Sequence, residues 1–82
     1  MSFKRFISVY NKFGERPIDQ MEIEINKFDI KLVQKIFSIE DDNPMYDVYK
    51  IEKEHASYFK DTYSLKFDFE KFDYFLECHE EN

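Results

Sequence analysis

One cysteine, two histidines and an acid-rich stretch holding two tyrosines are the side chains with chemistry to offer. Cys78 and His79 are neighbours. On a strand they point to opposite faces, so they cannot share a metal ion, and only His55 is left to join either. A zinc site needs four ligands, or three and an open position, so none is expected. A Cys78/His55 pair could form an activated thiolate. The stronger alternative makes Cys78 a small core residue of the last strand and His55 a helix residue with one wet edge. The chain has a single glycine and no HExxH, nucleophile elbow or phosphate-cradling loop. No catalytic residue, no cofactor and no enzymatic activity are expected.

The acid-rich stretch is Glu40–Ile51, EDDNPMYDVYKI. Asp41, Asn43, Asp47 and Glu52 imitate four ligand positions of a calcium loop. Tyr46 stands where that loop needs glycine for its sharp turn, and Met45 replaces a ligand, so no metal is expected. Carboxylates pair with Arg and Lys, and tyrosine adds apolar area with a hydroxyl. Acid with tyrosine is therefore the surface that fits a cleft built for phosphate. Asp41, Asp42, Tyr46, Asp47 and Tyr49 are the candidate partner-binding residues. Glu40 and the downstream Asp68, Glu70 and Asp73 could share their field. The competing account makes the charges a solvated face and folds Tyr46 and Tyr49 onto the helices as core.

Charge is unevenly spread. The net charge is −6. Residues 1–39 hold seven Lys/Arg against five Asp/Glu, and residues 40–82 hold five Lys against thirteen. Such a surface repels phosphate backbones, which argues against direct nucleic-acid binding, and it speeds encounter with a basic partner. Eighty-two residues predict a single domain, 1–82, with a modest core. Ten Phe and six Tyr enlarge it, since each aromatic buries about 150–250 Å². A lone cysteine suits a reducing cytoplasm. The first residues lack the apolar run of a signal peptide, and no apolar run is long enough to span a membrane.

Periodicity supplies the frame. Phe3–Tyr10 reads as a strand that is central or covered on both sides, with Phe3, Ile7 and Val9 on one face and Phe6, Ser8 and Tyr10 on the other. Asn11–Pro17 turns. Gln20–Ile25 alternates, with Met21, Ile23 and Ile25 inward, and pairs back as a hairpin. Asp29 caps a helix whose inner face is Leu32, Val33, Ile36 and Phe37, with Phe28 as a staple against Val33. It is expected to stop near Ile39, ahead of Asn43-Pro44. Met45–Ile51 crosses to a second helix, Glu52–Tyr63, with His55, Tyr58, Phe59 and Thr62 inward. Residues 65–69 alternate as a short extra strand would. Phe72–His79 is the last strand, and residues 80–82 form a frayed tail. The expectation is an α+β fold, β-β-α-α-β, with an antiparallel sheet covered on one face by two helices.

PMYDVY at 44–49, KFDYFLEC at 71–78 and the QKIF of the first helix at 34–37 together resemble small bacterial toxin-immunity proteins, including those of contact-dependent growth inhibition. The resemblance covers most of residues 20–78. It implies a cytoplasmic protein that binds the C-terminal domain of a cognate toxin, often a nuclease, and covers its active site or substrate groove. Those motif residues could instead be kept for packing, with the toxin-contacting surface elsewhere. A self-associating structural or regulatory module, a homodimer built on an edge strand or aromatic surface, is the rival from another class.

Overall fold

The computed structural model of the protein describes residues 2–81. The elements run β1 (Ser2–Asn11), β2 (Pro17–Ile23), a single 3₁₀ turn (Ile25–Lys27), α1 (Ile30–Ile36), β3 (Tyr49–Ile51), α2 (Lys53–Tyr63) and β4 (Phe72–Glu81). The four strands form one antiparallel sheet in the order β2-β1-β4-β3. Two helices on one face of it make an α+β fold. The long central strands pair over their whole length, with Ile7 opposite Leu76 and Val9 opposite Tyr74.

That register fixes which side chains meet the helices. Ile7, Ile23, Ile51, Tyr74 and Leu76 close over Val33 of α1 and Phe59 of α2, and Met45 completes the buried cluster. Side-chain alternation along β1 and β4 puts the next residues on the opposite side. There Phe6, Tyr10 and Phe75 are half-buried, although neither helix lies on them. The aromatic residues of both faces therefore mark central strands, with one face covered.

Asp29 caps α1 as expected, its carboxylate accepting from the Leu32 amide at 3.3 Å. The helix stops earlier than the proline suggests. Ser38 takes a left-handed conformation, φ 56°. Its amide donates to the Lys35 carbonyl, and the Ile39 amide to that of Gln34. Those two bonds satisfy the helix's last carbonyls, a Schellman ending made with serine in place of glycine. At α2 the Glu52 amide donates to Nδ1 of His55 at 2.9 Å, so this histidine closes the helix start.

Several boundaries differ from expectation. The fourth strand is β3, inside the segment expected only to cross over, while residues 65–69 form no strand. β1 and β4 are each paired on both sides, so only the outer edges of β2 and β3 are open, and residues 65–69 add to neither. Leu65, Phe67 and Phe69 instead pack half-buried against the core, with the Phe67 and Phe69 rings edge-on to Tyr74. β2 ends at Ile23, and the expected inward placement of Ile25 falls outside the described side chains. β4 continues through Glu80 and Glu81, because Phe3 and Ser2 are there to pair with them, and Asn82 lies outside the described residues.

Phe59 is fully buried at the centre of the aromatic layer. Phe59→Ala is expected to cost about 3–5 kcal/mol, a large part of the total of about 5–15 kcal/mol that such a domain has. Lys60→Ala, exposed beside it, should stay within about 0.5 kcal/mol. Urea unfolding followed by circular dichroism measures both.

Candidate protein-binding surface

The segment between α1 and β3 has no helix or strand, yet hydrogen bonds hold its backbone at Glu40, Asp41, Asn43, Pro44 and Met45. The Asn43 amide donates to the Glu40 carbonyl. Lys31 Nζ donates to the Asp41 carbonyl at 2.7 Å. Gln34, buried on α1, reaches the carbonyls of Asn43 at 2.6 Å and Asp41 at 3.3 Å. Asn43 Oδ1 accepts from the Met45 amide at 2.8 Å and steadies that residue at φ 59°. Met45 is fully buried and plugs the core.

Arg5 completes the clamp. Alternation places it in the inward row of β1 with Ile7 and Val9, opposite Cys78. Its guanidinium donates to the carbonyls of Met45 at 2.7 Å and Pro44 at 2.8 Å. The cation sits 4.5 Å above the Phe28 ring. Two charge-assisted bonds and a cation–π contact thus hold the segment from below.

With its backbone tied down, the loop turns its acids outward. Asp41, Asp42 and Asp47 are exposed. Tyr46 is 49 % exposed and lies flat on Phe3, ring centroids 4.2 Å apart at 13°. Four of the five candidate residues are therefore exposed on one loop. Tyr49 is not among them. It stands opposite Leu76 on the inward side of β3, half-buried, its ring 5.8 Å from Phe37. Burial pushes its hydroxyl pKa up, and the charge of Asp47 adds to the shift.

The downstream acids behave differently from the loop. Asp73 is paired with Lys12 at 2.9 Å and Lys50 at 3.8 Å. The hydrogen bond from Lys12 holds its carboxyl below the usual range. Asp68 accepts from the Glu70 amide in a local turn. Among the described residues no group of three His, Cys, Asp or Glu could hold a metal ion. His55 spends Nδ1 on its helix cap and rests on Phe37, ring centroids 4.2 Å apart. Cys78 is half-buried in the inward row of β4, and His79 faces the other way beside Glu77 and Phe6. No helix among the described residues is long and apolar enough to cross a membrane.

Of the residues that build the site, Gln34 and Met45 lie in the QKIF and PMYDVY stretches, while Arg5 lies in none of the quoted motifs; its signal is a charge in an otherwise apolar inward row. The chain belongs to a family described as a domain of unknown function, DUF7683, whose model matches residues 4–77. No curated protein and no solved structure matches it.

Arg5→Ala removes hydrogen bonds worth about 1.5–3 kcal/mol each and leaves a part-buried carbonyl unpaired. The expected result is a loss of at least about 2 kcal/mol and faster amide exchange at 43–47. Lys31→Ala, at an exposed bond, should change stability by less than about 0.5 kcal/mol. The tyrosines give a pH signature. Burial also raises the pKa of Tyr63, whose hydroxyl donates to the Lys27 carbonyl at 3.1 Å. The folded chain then keeps protons that the unfolded chain has lost, so this stabilisation is complete below pH 10.0 and is lost as the pH climbs through the folded-state values. Absorbance titration at alkaline pH should show Tyr49 and Tyr63 ionising last, and Tyr63→Phe should remove the later of the delayed components.

Proposed function

We propose that the chain is a binding protein of the immunity type, which neutralises a cognate bacterial toxin domain in the cytoplasm. The observation that carries the reading is the clamped loop. A flexible acidic loop loses entropy when it docks, about 0.5–1.5 kcal/mol for each side chain that is immobilised. Here hydrogen bonds hold the loop backbone at Glu40, Asp41, Asn43, Pro44 and Met45 in the free chain, which would lower that cost for the exposed Asp41, Asp42, Tyr46 and Asp47.

The partner is a basic toxin domain, in the first instance a nuclease. Its phosphate-binding groove carries the Arg and Lys that such carboxylates pair with. The charge surplus of residues 40–82 would steer the encounter, and Tyr46 would supply the apolar anchor. Neutralisation follows from covering the groove and needs no catalytic group or cofactor. Glu40 lies on the same loop and is exposed, which extends the acidic rim.

The test is co-expression with the neighbouring toxin gene, followed by purification through a tag on this chain. A stoichiometric complex and cell survival are expected. In the triple variant Asp41→Lys, Asp42→Lys, Asp47→Lys, all at exposed positions, the association rate should fall at least about tenfold at low salt and protection should be lost. A folded triple variant that still protects removes the loop as the site. Absence of any basic partner or toxicity removes the immunity reading.

A further inference from the structure

On the sheet face away from the helices lies a hollow of about 290 Å³, lined by Tyr10, Phe13, Val48, Asp73, Phe75 and Glu77. We propose that it binds a methylated ammonium group, the cationic head of a choline-like small molecule or of a trimethylated lysine. Its walls are aromatic. Tyr10 and Phe75 stand diagonally across β1 and β4 with their rings edge to face, centroids 5.3 Å apart at 85°. Two rings at right angles make a corner, and aromatic faces attract cations. Phe13, at the hairpin tip, adds a third ring. It is 100 % exposed, so nothing in the chain packs on it, and it is held at φ 62°. That backbone suits glycine or asparagine better than a bulky side chain. A third ring at the mouth of a cation site accounts for phenylalanine there.

The hollow also holds a carboxylate without a permanent cation. The Glu77 side chain is only 12 % exposed. Among the described residues its one ion-pair partner is His79, with Nε2 at 3.3 Å, and a histidine is charged only when protonated. The lysines of this face are engaged with other acids, Lys4 with Glu22 and Glu81, and Lys12 and Lys50 with Asp73. Asp73 is thus neutralised within the chain, and Glu77 is not. A carboxylate with so little access to water is costly unless a positive charge meets it. A cation held in the hollow supplies that charge.

The lining selects the class of cation. A guanidinium and a primary ammonium carry several N–H donors, each of which needs an acceptor once water is displaced. Phe13, Val48 and Phe75 offer none with their side chains, the Asp73 carboxylate is occupied by lysines, and Glu77 is a single carboxylate. A trimethylammonium has no N–H donor. Its methyl groups carry the charge onto ring faces and pack against Val48. Size agrees, because a cavity of about 150 Å³ accommodates benzene and this hollow of about 290 Å³ accommodates the head group with part of its stem. The hollow opens to solvent, so the affinity is modest, with Kd of about 0.1–10 mM.

Titration of the full chain with choline chloride up to about 50 mM, followed by amide chemical shifts against sodium chloride at equal ionic strength, tests it. Saturable shifts at Tyr10, Phe13, Val48, Phe75 and Glu77 are expected, with Overhauser contacts from the N-methyl protons to the Tyr10 and Phe75 rings. The neutral isostere, with tert-butyl in place of trimethylammonium, should bind at least about tenfold more weakly. Glu77→Gln and Phe75→Leu, which keep the bulk of their side chains, should each weaken choline binding by at least about tenfold. Phe13→Ala, at a position exposed to solvent alone, should weaken it about threefold without loss of thermal stability. A second titration with Nα-acetyl-Nε-trimethyllysine amide assigns the source of the head group. Tighter binding than choline points to a protein side chain, and weaker binding to a free small molecule. Absence of saturable shifts with both ligands overturns the proposal. So does equal binding of the neutral isostere, or full affinity in folded Glu77→Gln protein. None of these readouts involves the acidic loop, so this site and toxin binding fail separately.

Discussion

Much of this fold hangs on where the Arg5 guanidinium spends its hydrogen bonds. An arginine in the inward row of a central strand is costly to bury unless its donors are met. Among the described residues no carboxylate meets them. The carbonyls of Pro44 and Met45 do, with the Phe28 ring below the cation. Arginine suits this because its planar fork reaches two acceptors and its charge is weakly hydrated. The same contact draws the α1–β3 segment across the end of the sheet, seats Met45 in the core, and leaves three residues before β3 begins at Tyr49. It therefore helps set the register that puts Tyr49 opposite Leu76 and Ile51 opposite Tyr74. One charged side chain joins the core, the edge strand and the exposed acids.

The two faces of the sheet solve different problems. The inward face buries aliphatic residues beneath two short helices, of which α1 has only two turns. An isolated helix of that length is unstable in water. Its side chains make it worth forming: Val33 enters the core and Gln34 grips the loop. The outward face has no layer above it and relies on local pairing. Lys4 bridges Glu22 and Glu81, Lys12 meets Asp73, and Gln20 donates to the buried Ser8 hydroxyl at 2.9 Å. Exposed ion pairs like these contribute little stability each.

Much of this was legible from period alone. Alternation identified Ile7, Met21, Ile23 and Leu76, the helical repeat identified Val33 and Phe59, and Asp29 marked its helix start. What escaped has specific physical causes. Ser38 ended α1 through a left-handed turn that sequence assigns to glycine. β3 is three residues long, too short for a period to appear. Residues 65–69 alternate as convincingly as any strand, but alternation records only that one side is buried, and here Leu65, Phe67 and Phe69 pack on the core without joining a sheet edge. Tyr46 and Tyr49 were grouped by proximity. Three is an odd offset, and in extended backbone it points two side chains opposite ways, so one faces solvent when the other faces the core. The clamp escaped because Arg5, Gln34 and Met45 come from three separate parts of the chain.

The acidic loop and the open sheet face lie on different sides, and the inward row decides this. Phe3 belongs to that row, so the Tyr46 ring stacked on it sits on the helix side of the sheet. Asp41 and Asp42 branch from the loop just after α1, also on that side. Val48 crosses to the outward face at the start of β3, where it borders the aromatic hollow.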